Sequence, residues 1–372
     1  MTMPAAVRRT VEVAVIGGGQ AGLAVGYYLQ RSGMVPGQDF VVVDAADGPG
    51  GAWPRMWEGM RLFSPSSVSS LPGRMMPRWN DAERGFPPRS HVVDYLAEYE
   101  QRYDLAPLRP HRVASVSRLD GDPRGHLQVA APGLEITARV VVSATGTWSQ
   151  PFWPVYPGAG VFGGRQLHTV DYRSPQAFAG QRVAIVGGGN SAAQVLAEVS
   201  EVAETLWFTP RAPRFLPDDV DGRVLFAAAT ERVRAQQEGR EHAGVGGLGD
   251  IVMVASVKGA RDRGVLVARP MFTRLTPNGI ARADGSEERV DAVIWCTGFR
   301  PALRHLAPLR LRDASGRVRT PGAGGTRSEV EPRLFLVGYG DWTGPASATL
   351  LGVGRTARDA AGAIKEYLPH AR

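Results

Sequence analysis

The stretch from Val11 to Gly22 reads Val-Glu-Val-Ala-Val-Ile-Gly-Gly-Gly-Gln-Ala-Gly, and it decides the fold. Five of the six residues from Val11 to Ile16 are apolar. A short β-branched run of this kind is typical of a buried strand in a parallel sheet. The spacing Gly17-x-Gly19-x-x-Gly22 follows at once, and a helical pattern comes after it. Strand, glycine turn and helix together predict a dinucleotide-binding turn.

Each position of this turn has a physical reason. Gly17 allows the tight turn, Gly19 lets the backbone approach a pyrophosphate, and Gly22 lets the helix pack closely on the strand. Gln20 and Ala21 lie in the first helical turn, where free N–H groups and the helix dipole attract a phosphate. The alternative is a glycine-rich turn in some other α/β protein.

A second apolar run and a glycine loop extend the first unit. The strand at residues 40–43 ends in Asp44, at the distance where a carboxylate binds a ribose hydroxyl pair. A turn then carries Gly51, Ala52 and Trp53. This loop either holds one buried tryptophan or forms a wall against a planar cofactor ring.

A second fingerprint follows the apolar run at residues 183–186. It reads GxGxxA, and alanine is tolerated in third place because the helix needs only close approach. The residues expected to contact a second dinucleotide are Gly187, Gly189, Asn190 and Ser191.

The strand at residues 206–209 ends near Arg211, with no acid in the corresponding place. A 2′-phosphate requires a cation, and a guanidinium binds it bidentately. The sequence therefore favours NADPH over NADH, the alternative being a surface arginine. An insertion at residues 212–262 contains a helical stretch from Leu225 to Gln237 and another GxGxxG at residues 244–249. No strand precedes that third motif, so we interpret it as a flexible loop.

Composition narrows the class of protein. The chain has 372 residues, a formal net charge of +7 and scattered arginines, which do not favour nucleic-acid binding. Its single cysteine, Cys296, allows neither an internal disulfide nor a redox pair. We find no leader sequence and no membrane-length apolar run, and expect a cytoplasmic protein without membrane contact.

Strand-like segments surround the first unit. Residues 112–119, 126–130 and 135–143 predict an antiparallel meander, and Val113 at its start is a candidate cofactor contact. Its last strand enters Thr145-Gly146, another candidate contact. A helix is expected from His91 to Leu105.

The remaining segments complete the second unit and return the chain to the first. Short strands are expected at residues 265–267, 273–276, 279–283 and 290–295. Near the end, a strand at residues 334–337 enters a glycine turn with Asp341, and a helix follows from Arg355 to Tyr367. Asp341 either contacts a ribityl chain or caps a helix.

The predicted fold class is α/β, with two Rossmann-like dinucleotide-binding domains and the NADPH domain inserted into a split FAD domain. We predict the first part of the FAD domain at residues 1–157, the NADPH domain at residues 158–291 and the second part of the FAD domain at residues 292–372.

The chain resembles the FAD- and NADPH-dependent class B monooxygenases, which include flavin-containing, N-hydroxylating and Baeyer–Villiger enzymes. Besides the two fingerprints, Phe162-x-Gly164-x-x-x-His168-x-x-x-Tyr172 is similar to that family's hinge sequence. The stretches Leu-Phe-Ser-Pro and Gly-Asp-Trp-Thr-Gly-Pro are similar to a subgroup associated with bacterial arsenic resistance. The resemblance implies FAD and NADPH as cofactors.

The resemblance also implies two catalytic residues. His168 would help to couple nicotinamide binding to domain movement, although a lone histidine is more often structural. Ser64 stands where the family often has an asparagine credited with stabilising the oxygenated flavin, and serine can also donate a hydrogen bond.

The implied activity is oxygenation of a small soft nucleophile (nitrogen, sulfur or a metalloid) or of a carbonyl compound, by NADPH and O2 through a flavin hydroperoxide. The partners would be a small-molecule substrate and O2, and a homodimer is compatible with this. Two alternatives stay open: an NADPH-dependent flavin reductase without oxygen insertion, and a nucleotide-sensing regulatory flavoprotein.

Overall fold

The computed structural model describes residues 6–80, 85–120, 122, 125–225, 227, 231, 250–322 and 324–370. The strands are β1 Val7–Ile16, β2 Phe40–Val43, β3 Ser115–Arg118, β4 Leu127–Ala131, β5 Leu134–Ser143, β6 Arg165–His168, β7 Arg182–Val186, β8 Glu204–Thr209, β9 Ala268–Pro270, β10 Arg274–Thr276, β11 Gly279–Ala281, β12 Glu287–Arg289, β13 Ala292–Trp295 and β14 Leu334–Leu336. The helices are α1 Gln20–Arg31, α2 Arg89–Arg102, α3 Asn190–Val199, α4 Ala255–Asp262 and α5 Val353–His370.

The first sheet has the order β2-β1-β5-β4-β3, and β14 also pairs with β5. The strands β2, β1, β5 and β14 are parallel to one another, whereas β3 and β4 form an antiparallel meander with β5. The long strand β5 holds β4 along its first half and β14 along its second half. Four parallel strands therefore end together at the edge where the first glycine turn begins.

The second sheet has the order β6-β13-β7-β8-β9, and all its strands are parallel. The second glycine turn lies between β7 and α3, at the carboxyl edge of this sheet. A small antiparallel sheet of β10, β11 and β12 lies beside it in sequence. In open sheets of this kind, ligands bind beyond the carboxyl ends of the strands.

Apolar side chains cover both faces of the first sheet. In one cluster, side chains of α1, α2 and α5 pack on side chains of β1 and β5, such as Val13 and Val140. A second cluster lies on the opposite face and contains Ala14 and Val141. The alternation along these strands places successive side chains in different clusters, as the period of two requires. The two glycine turns are thus mounted on rigid, buried strands.

The structure confirms the α/β class and the two parallel sheets, and it corrects three details of the prediction. Strand β13 lies inside the second sheet, so the expected boundary at residues 291/292 would cut through that sheet. The strand expected at residues 265–267 lies three residues later, at β9. Helix α4 was not expected as a distinct element. The other domain boundaries stay predictions.

Two predicted features fall largely or wholly outside the described residues: the helix from Leu225 to Gln237 and the loop at residues 244–249. Within the part of the chain that the structure describes, no helix has the length and apolar character needed to cross a membrane.

Candidate functional site

The first glycine turn has no room for side chains. A Cβ atom on Gly17 (φ +111°) would lie 2.5 Å from the Ala144 carbonyl oxygen, and one on Gly22 would lie 1.8 Å from the Gly17 carbonyl oxygen. Gly19 is the N-cap of α1 and supplies no capping side chain, and the first helical turn contains no acid. The helix N-terminus therefore keeps the free N–H groups and the dipole that bind a phosphate.

Gln20 ties this turn to two other predicted contacts. Its Oε1 accepts a hydrogen bond from Trp53 Nε1 (3.0 Å), and its Nε2 donates to the Ala348 carbonyl oxygen (2.7 Å). Gly51 packs directly on Gly19, because a Cβ there would lie 2.8 Å from the Gly19 Cα. The glycine loop and the C-terminal glycine turn thus meet at the start of α1.

Ala21 and Ala52 complete this junction. Ala21 is buried, and a Cβ on Gly338 would lie 2.5 Å from the Ala21 Cβ. Ala52 is the N-cap of the short 3-10 helix that begins at Trp53. The predicted contacts of this loop and this turn therefore lie together at the start of α1.

The predicted ribose carboxylate, Asp44, is buried beside the turn and has an arginine partner. Arg109 Nε donates to Asp44 Oδ2 (3.1 Å), and its two terminal nitrogens donate to both oxygens of Glu100 (2.8 and 2.6 Å). A Cβ on Gly18 would lie 2.8 Å from Asp44 Oδ2. The bidentate contact with Glu100 fixes the guanidinium, and the guanidinium in turn fixes the orientation of Asp44.

Thr145 and Gly146 join a buried hydrogen-bond network at the end of β5. Thr145 Oγ1 contacts the Tyr339 hydroxyl (2.7 Å) and donates to the Ala302 carbonyl oxygen (2.8 Å). The Tyr339 hydroxyl also contacts Ser143 Oγ (2.6 Å), which contacts His305 Nε2 (3.0 Å). The network fixes the backbone that follows β5, against which Gly17 is packed.

From His305, the buried histidine of this network, we expect a loss of stability in acid. Burial lowers the pKa of His305 from 6.5 to about 4. The unfolded chain therefore takes up a proton first, so the contribution to stability is complete above pH 6.5 and is lost as the pH falls toward 4. We expect this residue to account for about 3 kcal/mol of the lost unfolding free energy over that range.

Denaturant unfolding at several pH values tests this expectation. His305→Gln keeps an amide that can bond to Ser143 but has no titrating group. The variant should lose less unfolding free energy than the parent between pH 6.5 and 4. Equal losses in the two proteins would show that His305 is not kept neutral by the fold.

The second glycine turn repeats the geometry of the first. Gly187 (φ +142°) packs on the Cys296 carbonyl oxygen, which a Cβ would approach to 2.3 Å, and Gly189 is the N-cap of α3 without a capping side chain. Ser191 lies half-buried in the first turn of α3. The free N–H groups of this helix suit a second phosphate.

Asn190 has a different role from the one expected. Its side-chain nitrogen donates to the Asp250 carbonyl oxygen (2.9 Å), and its side-chain oxygen accepts from the Val252 backbone N–H (2.8 Å). The amide thus holds the returning end of the insertion. A contact between this side chain and a coenzyme is not favoured by the geometry.

Arg211 lies two residues beyond β8 and is exposed. Within the described ranges, its guanidinium has no hydrogen bond or ion pair. Gly188 lies against Thr209 at the end of β8, so this strand ends next to the second turn. The site suits the anionic group of a coenzyme held at that turn.

Ser64 does not have a free proton. It is buried, and its Oγ lies 2.8 Å from Ser69 Oγ, which donates its own proton to the Pro65 carbonyl oxygen (2.8 Å). Ser64 must therefore donate to Ser69. This hydrogen bond competes with donation from Ser64 to a flavin, and the role of Ser64 as such a donor stays a prediction.

His168 is fully buried, and both of its ring nitrogens bind backbone. Nδ1 accepts from the Val170 N–H (3.1 Å), so Nε2 carries the proton and donates to the Gly298 carbonyl oxygen (3.0 Å). Burial lowers the pKa of His168, although the hydrogen bond to Gly298 opposes this effect. The residue joins β6 to the segment after β13, which fits a positioning role and not proton transfer.

The other predicted contacts are placed as follows. Val113 packs on the buried cluster that includes Val43, on the far face of the first sheet. Asp341 is exposed and begins a short 3-10 helix, and its Oδ1 accepts from the Ala346 N–H (3.4 Å). The N-cap of that helix is Gly340 and no side chain caps it, so Asp341 is not its cap, and a contact with a ribityl chain stays a prediction. Burial raises the pKa of the Cys296 thiol to about 12, so this thiol is unreactive at neutral pH.

Several known proteins are similar to this chain in sequence or in fold. The family described as Pyridine nucleotide-disulphide oxidoreductase matches residues 14–221. A flavin-containing monooxygenase from Stenotrophomonas maltophilia is 49% identical, with a TM-score of 0.85, over 96% of this chain and 99% of its own. A doubly substituted variant of that enzyme matches equally well, at 49% identity and a TM-score of 0.86.

Two further relatives are more distant. An uncharacterized CzcO-like oxidoreductase from Geobacillus kaustophilus is 28% identical over 78% of this chain and 80% of its own length. A Baeyer-Villiger monooxygenase from Streptomyces coelicolor is 34% identical over 59% of this chain and 41% of its own length.

Proposed function

The chain belongs to the flavin monooxygenases within the pyridine nucleotide-disulphide oxidoreductase family, and from this membership we propose that it oxygenates a small soft nucleophile or a carbonyl compound. It is an NADPH-dependent flavoprotein monooxygenase, and its cofactors are FAD and NADPH. The observation that carries the proposal is the 49% identity to a flavin-containing monooxygenase over 96% of the chain. The substrate would carry nitrogen, sulfur, a metalloid or a carbonyl group.

The residues present fit both cofactors. The uncapped N-terminus of α1, the close glycine contacts and the buried Asp44 suit the pyrophosphate and ribose of FAD. The uncapped N-terminus of α3 and the exposed Arg211 suit NADPH. When bound, the two cofactors supply hydride transfer and the activation of O2 for insertion of one oxygen atom, which side chains alone do not perform.

The chain's own side chains hold the parts of the site in a fixed orientation. Gln20 fixes the Trp53 loop against the first turn, and Arg109 orients Asp44. Neutral His168 holds the segment after β13 against β6, at the place where the two sheets are joined by the chain. These contacts favour a preorganised site.

Dithiol chemistry does not fit this chain. The whole sequence contains one cysteine, so a disulfide reductase with an internal redox pair is excluded. The high pKa of that thiol, about 12, also argues against a single reactive thiolate. Oxygen transfer therefore fits the family membership better than disulfide reduction.

One observation favours a second candidate function. The Ser64 hydroxyl is hydrogen-bonded to Ser69, and this bond competes with donation from Ser64 to an oxygenated flavin. A protein without such a donor would release hydrogen peroxide and act as an NADPH-dependent flavin reductase. The two functions differ in whether a product gains oxygen.

The effect of Ser64→Ala tests whether Ser64 acts as a donor to the cofactor. Because Ser64 bonds only to Ser69 in the site, we expect a loss of about 1 kcal/mol of unfolding free energy and no change beyond about twofold in product formed per NADPH. The ratio of product to hydrogen peroxide measures this. A roughly tenfold fall in that ratio would return Ser64 to the role of a donor to the cofactor.

The substrate class can be tested with four probes supplied with NADPH and O2. An aryl methyl sulfide, a tertiary amine, a trivalent arsenical and a cyclic ketone represent the four chemistries. We expect one class to be converted with a yield close to the NADPH consumed. If no probe gains oxygen and one hydrogen peroxide forms for each NADPH consumed, the reductase is favoured.

A further inference from the structure

Glu198 is a carboxylate on α3 that no part of the proposed mechanism uses. Its Oε1 accepts a hydrogen bond from Trp57 Nε1 (2.9 Å), and its Oε2 accepts one from the Tyr172 hydroxyl (2.9 Å). Trp57 and Tyr172 are almost completely buried, with 3% and 0% exposure. We call these three residues the carboxylate clamp.

The segment at residues 57–60 is packed tightly on this carboxylate. A Cβ on Gly59 would lie 2.2 Å from Glu198 Oε1, so the backbone of the segment is in contact with the carboxyl group. The Glu58 N–H also donates to the Arg173 carbonyl oxygen (2.9 Å). Trp57 shares one apolar cluster with α3 residues such as Val195 and with Tyr172. Residues 57–60 therefore belong to the packing of the second sheet.

The clamp is a costly way to make a contact. Among the residues that the structure describes, no arginine, lysine or histidine forms an ion pair with Glu198, and both of its donors are neutral. Burial raises the pKa of Glu198, and the neighbouring Glu201 and Glu58 act in the same direction, while the two hydrogen bonds oppose them. An apolar contact of similar shape would be at least as stabilising. The directional hydrogen bonds are what this arrangement adds.

Those bonds connect the two nucleotide turns. Trp57 lies four residues after Trp53, which is hydrogen-bonded to Gln20 in the first turn. Glu198 lies on α3, whose N-terminus forms the second turn. Tyr172 is the last residue of the hinge sequence that begins at Phe162. Short chain segments and hydrogen bonds therefore connect Glu198 to both nucleotide turns and to the hinge sequence.

We propose that Glu198 is a positioning residue for hydride transfer, and that the carboxylate clamp sets the second nucleotide turn at its working distance from the first. The proposal rests on the proposed function insofar as it assumes that both nucleotides bind at these turns. It does not depend on oxygen insertion. Loss of the clamp should slow hydride transfer and leave the affinity of each turn for its own nucleotide unchanged.

The variants Glu198→Ala, Glu198→Gln and Trp57→Phe test the proposal. Anaerobic mixing with saturating NADPH measures the rate of flavin reduction. Because small misplacement of reacting groups has large effects, Glu198→Ala should slow it roughly tenfold to a hundredfold. Glu198→Gln should recover much of the rate, since its amide can bond to both neighbours. Trp57→Phe, which keeps a smaller aromatic ring and loses the indole N–H, should fall between them.

A second measurement needs no flavin. Hydrogen–deuterium exchange of the flavin-free protein should be faster over residues 57–60 in Glu198→Ala and unchanged over β1.

The dissociation constants of FAD and NADP⁺, measured separately, should stay within about twofold of the parent's, because neither turn is altered. A change confined to those constants would assign Glu198 to nucleotide binding and overturn the proposal.

Glu201→Gln is the matched control. It removes the same charge next to α3, but Glu201 is 63% exposed on its side chain, and its ion pair among the described residues is with Arg263, at 3.9 Å. It should reduce flavin at the parent's rate. If Glu201→Gln slows reduction as much as Glu198→Ala, or if Glu198→Ala lowers only the melting temperature and not the rate, the clamp has no positioning role. Failure of all substrates to gain oxygen would contradict the proposed function but not this proposal.

Discussion

Gly22→Ala should yield a protein that is purified with less than about a tenth of the parent's FAD, because strain at a special backbone position is among the largest effects of single substitutions. The new Cβ would lie 1.8 Å from the Gly17 carbonyl oxygen, so the turn itself has to move. The second turn has Ala192 at the equivalent place, fully buried and accommodated. Alanine is thus accommodated at this position in the second turn and excluded by the geometry of the first.

The ratio of flavin to protein absorbance measures this effect, and Gly26→Ala is the control. Gly26 lies one turn later on the same helix, where a Cβ would meet the end of the Leu105 side chain at 3.1 Å and the Phe40 ring at 3.5 Å, and no backbone atom among these nearest contacts. That variant should keep its flavin and gain some helix propensity. NADP⁺ binding by Gly22→Ala should persist, which shows that the chain is folded. Full flavin content in Gly22→Ala would contradict the assignment of FAD to the first turn.

Arg211→Ala should weaken NADPH binding by roughly tenfold to a hundredfold and leave NADH nearly unchanged, since a charge-assisted hydrogen bond contributes about 1.5–3 kcal/mol. The guanidinium is exposed beyond β8 and is not engaged by other described residues, so it is available to a 2′-phosphate. NADH lacks that phosphate and has no contact to lose.

Steady-state Michaelis constants for both coenzymes check this prediction. Arg214→Ala is the matched control, because Arg214 is another exposed arginine in the same segment but lies near Asp250, at 3.6 Å. It should change the two constants equally and only slightly. A parallel rise for NADPH and NADH in Arg211→Ala would show that Arg211 does not bind the 2′-phosphate.

The sequence was most informative where a buried strand leads into a glycine turn. The β-branched runs of β1, β2 and β7 are buried, and their periodicity and the following glycines depend on local geometry alone. Strand β9 was misplaced for the opposite reason. It is a half-exposed edge strand, whereas Val267 in the expected position is apolar but 63% exposed. Hydrophobicity does not mark an edge strand of this kind.

The partners that orient the site could not be predicted. Arg109 meets Asp44 across 65 positions of the chain, and Trp57 meets Glu198 across 141. Such contacts depend on how the sheets are placed and not on any local pattern. The partner of Ser64 could not be predicted either, because its hydroxyl contacts Ser69, which is itself hydrogen-bonded to a backbone carbonyl. The hydrogen-bond directions become clear only from the full set of distances.

The most direct test of the central claim uses isotope-labelled dioxygen. The purified protein, loaded with FAD, is supplied with NADPH, labelled O2 and the substrate class selected among the four probes. The account predicts one labelled oxygen atom in each product molecule and about one product molecule for each NADPH consumed. Unlabelled substrate recovered in full, with all labelled oxygen in hydrogen peroxide, would contradict it.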